Sequence, residues 1–200
     1  MKLLLQPLPV RVFHWIMFVC VMTLLFTGFY LHSPMPSIKL PLSLVRKVHG
    51  MFGLILIANL VGQIYYYTVT KKFTEILFLP GDFANMRSFT RYVLFITDGH
   101  PNFGRYNPGQ KILFTSWGLA VLVAAFTSMI LLFPERTFWF QRTLGGLNVV
   151  RITHYFIAIF FAASIPLHFY LVFTEDPAKL QAMFTGYVNK ESSSSAKKDN

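Results

Sequence analysis

Cysteine is nearly absent: the 200-residue chain has one, Cys20. A single thiol closes no disulfide within the chain, and it cannot hold an iron–sulfur cluster, which takes about four ligands. Inside an apolar run, Cys20 reads as a small apolar side chain. Charge is scarce as well, at 13% of residues against about 25% in a soluble domain. Acidic residues are the rarest, with 8 Asp and Glu against 18 Lys and Arg. None of them falls inside a long apolar run, so no carboxylate there can complete a zinc site. The chain also lacks a nucleotide-binding motif and any ligand set for a nickel or molybdopterin centre. No internal repeat is discernible by eye.

Apolar residues dominate what remains, at 54% with a mean hydropathy of +0.50. Four windows, 12–31, 48–70, 112–133 and 152–174, contain no charged residue, and each is 20 to 23 residues long. At about 1.5 Å per residue such helices cross a hydrocarbon core of about 30 Å. The first window is too long and too aromatic for a signal peptide, and no small-residue cleavage site follows it. The expected fold class is an all-α membrane protein: a four-helix transmembrane up-and-down bundle over residues 1–188. The polar, serine-rich stretch 189–200 is expected to be a disordered tail.

A net charge of +10 could indicate nucleic acid. Here the basic residues flank the apolar windows and form no soluble patch, so the charge reports topology. With four spans, both termini share a side with the loop 71–111, and that side carries 12 of the 18 Lys and Arg. The positive-inside rule places it in the cytoplasm. A loop that long should contain structure of its own. The stretch "DFANMRSFTRYVLFI", residues 82–96, is expected to form a helix at the cytoplasmic membrane surface. Asp82 is its expected N-cap, with Phe83, Met86, Thr90, Val93 and Leu94 on one face.

Four of the six histidines lie within the spans. An imidazole in hydrocarbon needs a partner. Topology puts His14 near the cytoplasmic face with His168, and His49 near the outer face with His154. On the last span, His154 and His168 are 14 residues apart, which is roughly 21 Å of rise and about 40° short of four full turns, so they share a face at two depths. Two imidazoles on opposite sides of one iron are the axial ligands of a b-type haem, whose porphyrin supplies the other four nitrogens. Gly28, Gly50, Gly53 and Gly62 would let a flat ring or a neighbouring helix approach the backbone. Arg11 near the inner pair, and Arg46 and Arg151 near the outer pair, are candidates to bind haem propionates. Pro166 should bend the last span and free a carbonyl. His32, at a helix end, and His100, in a polar loop, fall outside the pairing and read as solvated side chains.

With those residues in view, the chain resembles bacterial di-haem cytochromes b, the membrane subunits of respiratory formate dehydrogenases and nickel–iron hydrogenases. The resemblance is carried by "RVFHW" with a following "TG" in the first span and by "HGMFG" in the second. "GRYNPGQK", the two spaced histidines of the last span and "KLQAMFTGYV" resemble the gamma subunit of formate dehydrogenase in particular. The resemblance covers about residues 8–190. It implies an inner haem b on His14 and His168, an outer haem b on His49 and His154, and a quinone, menaquinone or ubiquinone, reduced at Asn107, Gly109 and Gln110 beside His168. Asn and Gln amides offer donors to quinone carbonyls without a fixed charge. The same Asn-Pro-Gly also reads as a turn that starts the third span.

The expected function is a membrane-anchoring electron-transfer subunit in a bacterial inner membrane. It would pass electrons from a partner iron–sulfur subunit on the outer face through two haems to the quinone near the cytoplasmic face, with a formate dehydrogenase as the expected complex. The formate or hydrogen site would lie on another, catalytic chain. The alternatives are the cytochrome b of a hydrogenase or other oxidoreductase, a haem-free membrane anchor, and a free-standing cytochrome b.

Overall fold

A computed structural model of the chain describes residues 2–94, 96–97, 103, 105–174 and 177–189. His100 and residues 190–200 of the expected tail lie outside the described residues. A short strand β1 (Lys2–Leu4) precedes the first long helix, α1 (Leu8–His32). Then come α2 (Leu42–Val69), a single turn α3 (Phe73–Ile76), α4 (Phe83–Val93), α5 (Pro108–Leu132), α6 (Phe138–Thr143), α7 (Leu147–Thr174), α8 (Pro177–Thr185) and the strand β2 (Tyr187–Asn189). The four helices α1, α2, α5 and α7 are long and apolar enough to cross a membrane. The molecule is therefore the expected all-α membrane bundle. Each of the four starts 4 to 6 residues before its charge-free window. Arg11, Arg46, Lys47, Lys111 and Arg151 fall in the opening turns, where a long basic side chain can snorkel to the surface without ending the helix. α7 runs through Pro166 without a break.

The chain divides into two compact units. One comprises Met1–Arg11, Ile64–Gly118 and Val172–Asn200. Within it, β1 and β2 pair antiparallel, Lys2 opposite Asn189 and Leu4 opposite Tyr187. Gly186, at φ +86, makes the turn from α8 into β2. A Cβ there would lie 3.2 Å from the Gln6 carbonyl oxygen and 3.3 Å from Arg11 Nη1. Arg105 holds this unit together. It binds Glu75 at 2.8 Å, the Leu5 carbonyl at 2.7 Å and Gln6 Oε1 at 2.8 Å. Gln6, only 3% exposed, donates to the Tyr106 hydroxyl.

The expected surface helix is α4, though two details differ. Asp82 stands at the N-cap position, as expected, but its side chain makes no cap hydrogen bond to α4. A 3-10 turn over Pro80–Asp82 starts one step earlier, so the carboxylate accepts from the Leu79 N–H instead and pairs with Lys111 at 2.8 Å. The Lys111 hydrogen bond first, then the Leu79 N–H, hold this carboxyl below the ordinary carboxylate range. The more covered residues of α4 are Met86, Phe89 and Tyr92, while Val93 and Leu94 are exposed and Phe83, also exposed, sets its ring edge-on to Phe78 at 4.9 Å. The apolar face expected from spacing is thus largely the face left for lipid.

The other unit, Val12–Gln63 with Leu119–Leu171, contains all four span histidines. Its helices repeat. α1 and α5 both have 25 residues, and α2 and α7 both have 28. Val45, Leu56 and Asn59 are the buried residues of α2, and the equivalent positions of α7, Val150, Phe161 and Ser164, are buried too. Val21, Thr27 and Tyr30 on α1 match buried Val121, Thr127 and Ile130 on α5. Identity survives at Leu42/Leu147, Val45/Val150, Arg46/Arg151 and His49/His154. Lipid-facing positions accept any apolar side chain, so the match lies in burial and in a few polar positions that a glance along the sequence passes over.

Candidate functional site

His49 and His154 are each the eighth residue of their helices, α2 and α7. Their rings face one another with centroids 6.3 Å apart and planes at 69°. An imidazole nitrogen binds a metal at roughly 2 Å, and the ring centre lies about 1 Å behind it, so two rings sharing one metal sit roughly 6 Å apart. The observed separation is therefore that of two imidazoles that could share an ion. His14 and His168 lie in the same unit as this pair. His14 Nδ1 is buried with no hydrogen-bond partner. Leaving such an atom unengaged costs about 1–3 kcal/mol.

Two threonines that sequence reasoning passed over complete the outer pair. Thr27 of α1 lies with Oγ1 2.8 Å from His49 Nδ1, and Thr127 of α5 with Oγ1 2.9 Å from His154 Nδ1. Both are buried, and each is the twentieth residue of its helix. The signal that could have found them is the pair of "FT" steps 100 residues apart, each preceding an "R-x-x-H" by a similar interval.

The residues fit a porphyrin better than a bare metal ion. Among the described residues, no three His, Cys, Asp or Glu side chains gather as a metal cluster, whereas a haem iron needs only two axial ligands from protein. Gly53 lies one turn beyond His49 on the same face, and a Cβ there or on Gly50 would meet no protein atom within 4 Å. Gly28 and Gly62 have different reasons. A Cβ on Gly28 would press on the His49 ring at 3.3 Å, and one on Gly62 would overlap the Phe13 ring at 2.9 Å. Arg46 and Arg151 are exposed, each one turn before its histidine. Arg11 donates from Nε to the Met183 carbonyl at 3.3 Å and from Nη2 to that of Phe184, closing the end of α8. His32 stacks on Tyr155, 4.1 Å between centroids.

Asn107 and Gln110 form a reciprocal cap on α5. The Gln110 N–H donates to Asn107 Oδ1 at 2.8 Å, and the Asn107 N–H donates to Gln110 Oε1 at 3.2 Å. This arrangement satisfies two of the orphan donors of a helix start. It engages the side-chain oxygens and leaves the amide NH2 groups as donors. Gly109 is glycine because Phe89 of α4 packs onto its Cα, and a Cβ would collide with that ring.

The family model described as prokaryotic cytochrome b561 matches residues 5–186. The chain is similar to a probable Ni/Fe-hydrogenase 1 B-type cytochrome subunit of Escherichia coli K12, 27% identical over 77 residues. That match covers 36% of this chain and only a third, 33%, of the relative's length. It is also similar to a probable Ni/Fe-hydrogenase B-type cytochrome subunit of Azotobacter vinelandii, 21% identical over 90% of this chain and 84% of that one.

Proposed function

The chain belongs to the prokaryotic cytochrome b561 family, and we propose on that footing that it is the membrane electron-transfer subunit of a larger oxidoreductase. The observation that carries the reading is the facing His49–His154 pair, 6.3 Å between ring centres. His49 and His154 ligate an outer haem b, and His14 and His168 an inner one. Once bound, these groups supply one-electron carriage at two depths. Arg46 and Arg151 hold propionates of the outer group, and Arg11 holds one of the inner group. The basic residues of the termini and of the 71–111 loop set both termini in the cytoplasm of a bacterial inner membrane.

The electron donor is an iron–sulfur subunit at the outer face. The acceptor is menaquinone or ubiquinone, which takes two electrons and two protons to become a quinol. Asn107 and Gln110 amide groups donate to its carbonyls, with Gly109 between them in the same turn. Two observations pull the catalytic partner in different directions. "YNPGQK" and "KLQAMFTGYV" favour a formate dehydrogenase, and the relatives' names favour a nickel–iron hydrogenase. Affinity purification of the chain from membranes, with the captured subunits identified by mass spectrometry, separates the two.

The haem assignment is tested on the purified chain. Pyridine haemochrome analysis should give about two haems b per chain, one for each bis-imidazole pair. His154→Ala should remove one spectral component and His168→Ala the other. A content near zero rejects the reading in favour of a haem-free anchor, and a content near one means that one pair is misassigned.

A further inference from the structure

The two outer-pair histidines have matched partners, and the direction of each hydrogen bond can be worked out. Thr27 Oγ1 is 2.7 Å from the Thr23 carbonyl oxygen, and Thr127 Oγ1 is 2.8 Å from that of Val123. Two oxygens at that distance need a hydrogen between them, and the carbonyl has none to offer. Each hydroxyl hydrogen therefore points back into its own helix. The hydroxyl oxygen that remains is an acceptor, so the imidazole Nδ1 facing it at 2.8 or 2.9 Å must carry a hydrogen. A neutral imidazole has only one N–H. With that hydrogen on Nδ1, Nε2 presents the lone pair. The same construction occurs twice, at equivalent positions of the two helical repeats. The inner pair is built otherwise: His14 matches Phe114 in the repeat, His168 matches Gln63, and His14 Nδ1 has no partner.

We propose that Thr27 and Thr127 are paired positioning residues of the outer site: they lock His49 and His154 as Nδ1–H tautomers, direct both Nε2 atoms at the iron, and make these ligands stronger donors than His14 of the inner site. This rests on the haem reading above. An N–H that donates a hydrogen bond pushes electron density into the ring and raises the basicity of the other nitrogen. A stronger donor favours ferric over ferrous iron. The two hydroxyls therefore lower the midpoint potential of the outer haem. Neither threonine touches the iron, and both act through the histidine.

The test is a potentiometric haem titration of the purified full-length chain, with its subunits if they co-purify, for the wild type and for Thr27→Val, Thr127→Val, the double variant and the Thr→Ser counterparts. Valine keeps the shape and removes the hydroxyl, whereas serine keeps the hydroxyl. The component that His154→Ala abolishes should titrate at a higher potential in each Val variant and higher still in the double variant, with about 59 mV for every tenfold change in the ferric-to-ferrous affinity ratio. The other component should stay in place, and the Ser variants should match the wild type. Loss of the outer haem from the Val variants with retention in the Ser variants also supports the role, because the hydroxyl is then what ligation needs. Full haem content with an unmoved outer midpoint in the double Val variant overturns the proposal and leaves the haem reading intact. A wild-type chain without haem overturns both.

Discussion

At the scale of single residues, Asn107 shows how one side chain can serve a helix and a ligand. Its Oδ1 starts α5 by accepting the Gln110 N–H. Asn107→Ala removes that cap at about 1 kcal/mol, so reduced activity in that variant would mix folding with quinone binding. Asn107→Asp separates them, because aspartate caps as well as asparagine and has no NH2 to donate. If the amide meets a quinone carbonyl, one lost hydrogen bond of about 0.5–1.5 kcal/mol should lower quinone affinity or turnover from a few-fold to about tenfold in Asn107→Asp. The haem spectrum should not change. Steady-state quinone reduction measured beside that spectrum decides the matter, and normal kinetics in the Asp variant would return Asn107 to the cap alone.

Between elements, the contact of α4 with the start of α5 depends on the missing side chain of Gly109. A Cβ there would lie 2.8 Å from Phe89 Cε1. Gly109→Ala should gain up to about 1 kcal/mol in helix propensity and lose about 1–3 kcal/mol to overpacking. A net fall in melting temperature in detergent is expected. In Gly109→Ala/Phe89→Ala the collision is gone, so the two substitutions should couple favourably rather than add. A Gly109→Ala variant as stable as the wild type would show that α4 does not pack there. The same contact explains why spacing alone misplaces the faces of α4. Periodicity shows that Phe83, Met86, Val93 and Leu94 are apolar together, but not whether protein or lipid takes that side, since both are apolar.

For the whole molecule, residues 2–4 and 187–189 are tied together through β1–β2, and Arg105 ties the N-terminal segment to Glu75. Arg105 spans three acceptors, and charge-assisted bonds of this kind contribute about 1.5–3 kcal/mol each when buried, less here because the Arg105–Glu75 pair is partly exposed. Arg105→Ala should speed proteolytic removal of residues 2–7. Arg105→Lys should fall between that variant and the wild type, since one ammonium cannot span the same fork. Haem content should hold in both, because the four histidines belong to the other unit. Equal proteolysis rates in all three proteins would remove Arg105 from this role.

Much of this architecture was legible in the sequence, for a physical reason. Hydrocarbon permits only backbone that satisfies its own hydrogen bonds, so length and hydropathy sufficed for α1, α2, α5 and α7. A fixed rise per residue then sorted His14, His49, His154 and His168 by depth. Within one helix, geometry is local, and the sequence encodes it. The tertiary structure alone decided what depends on the relative rotation of two helices: that His49 Nδ1 meets Thr27, that His154 Nδ1 meets Thr127, and that the Asp82 side chain turns to Leu79 and Lys111 instead of capping α4. A hydrogen bond tolerates a few tenths of an ångström, while apolar packing against lipid constrains rotation only loosely. Such partners are settled when the helices assemble, and no single helix records them.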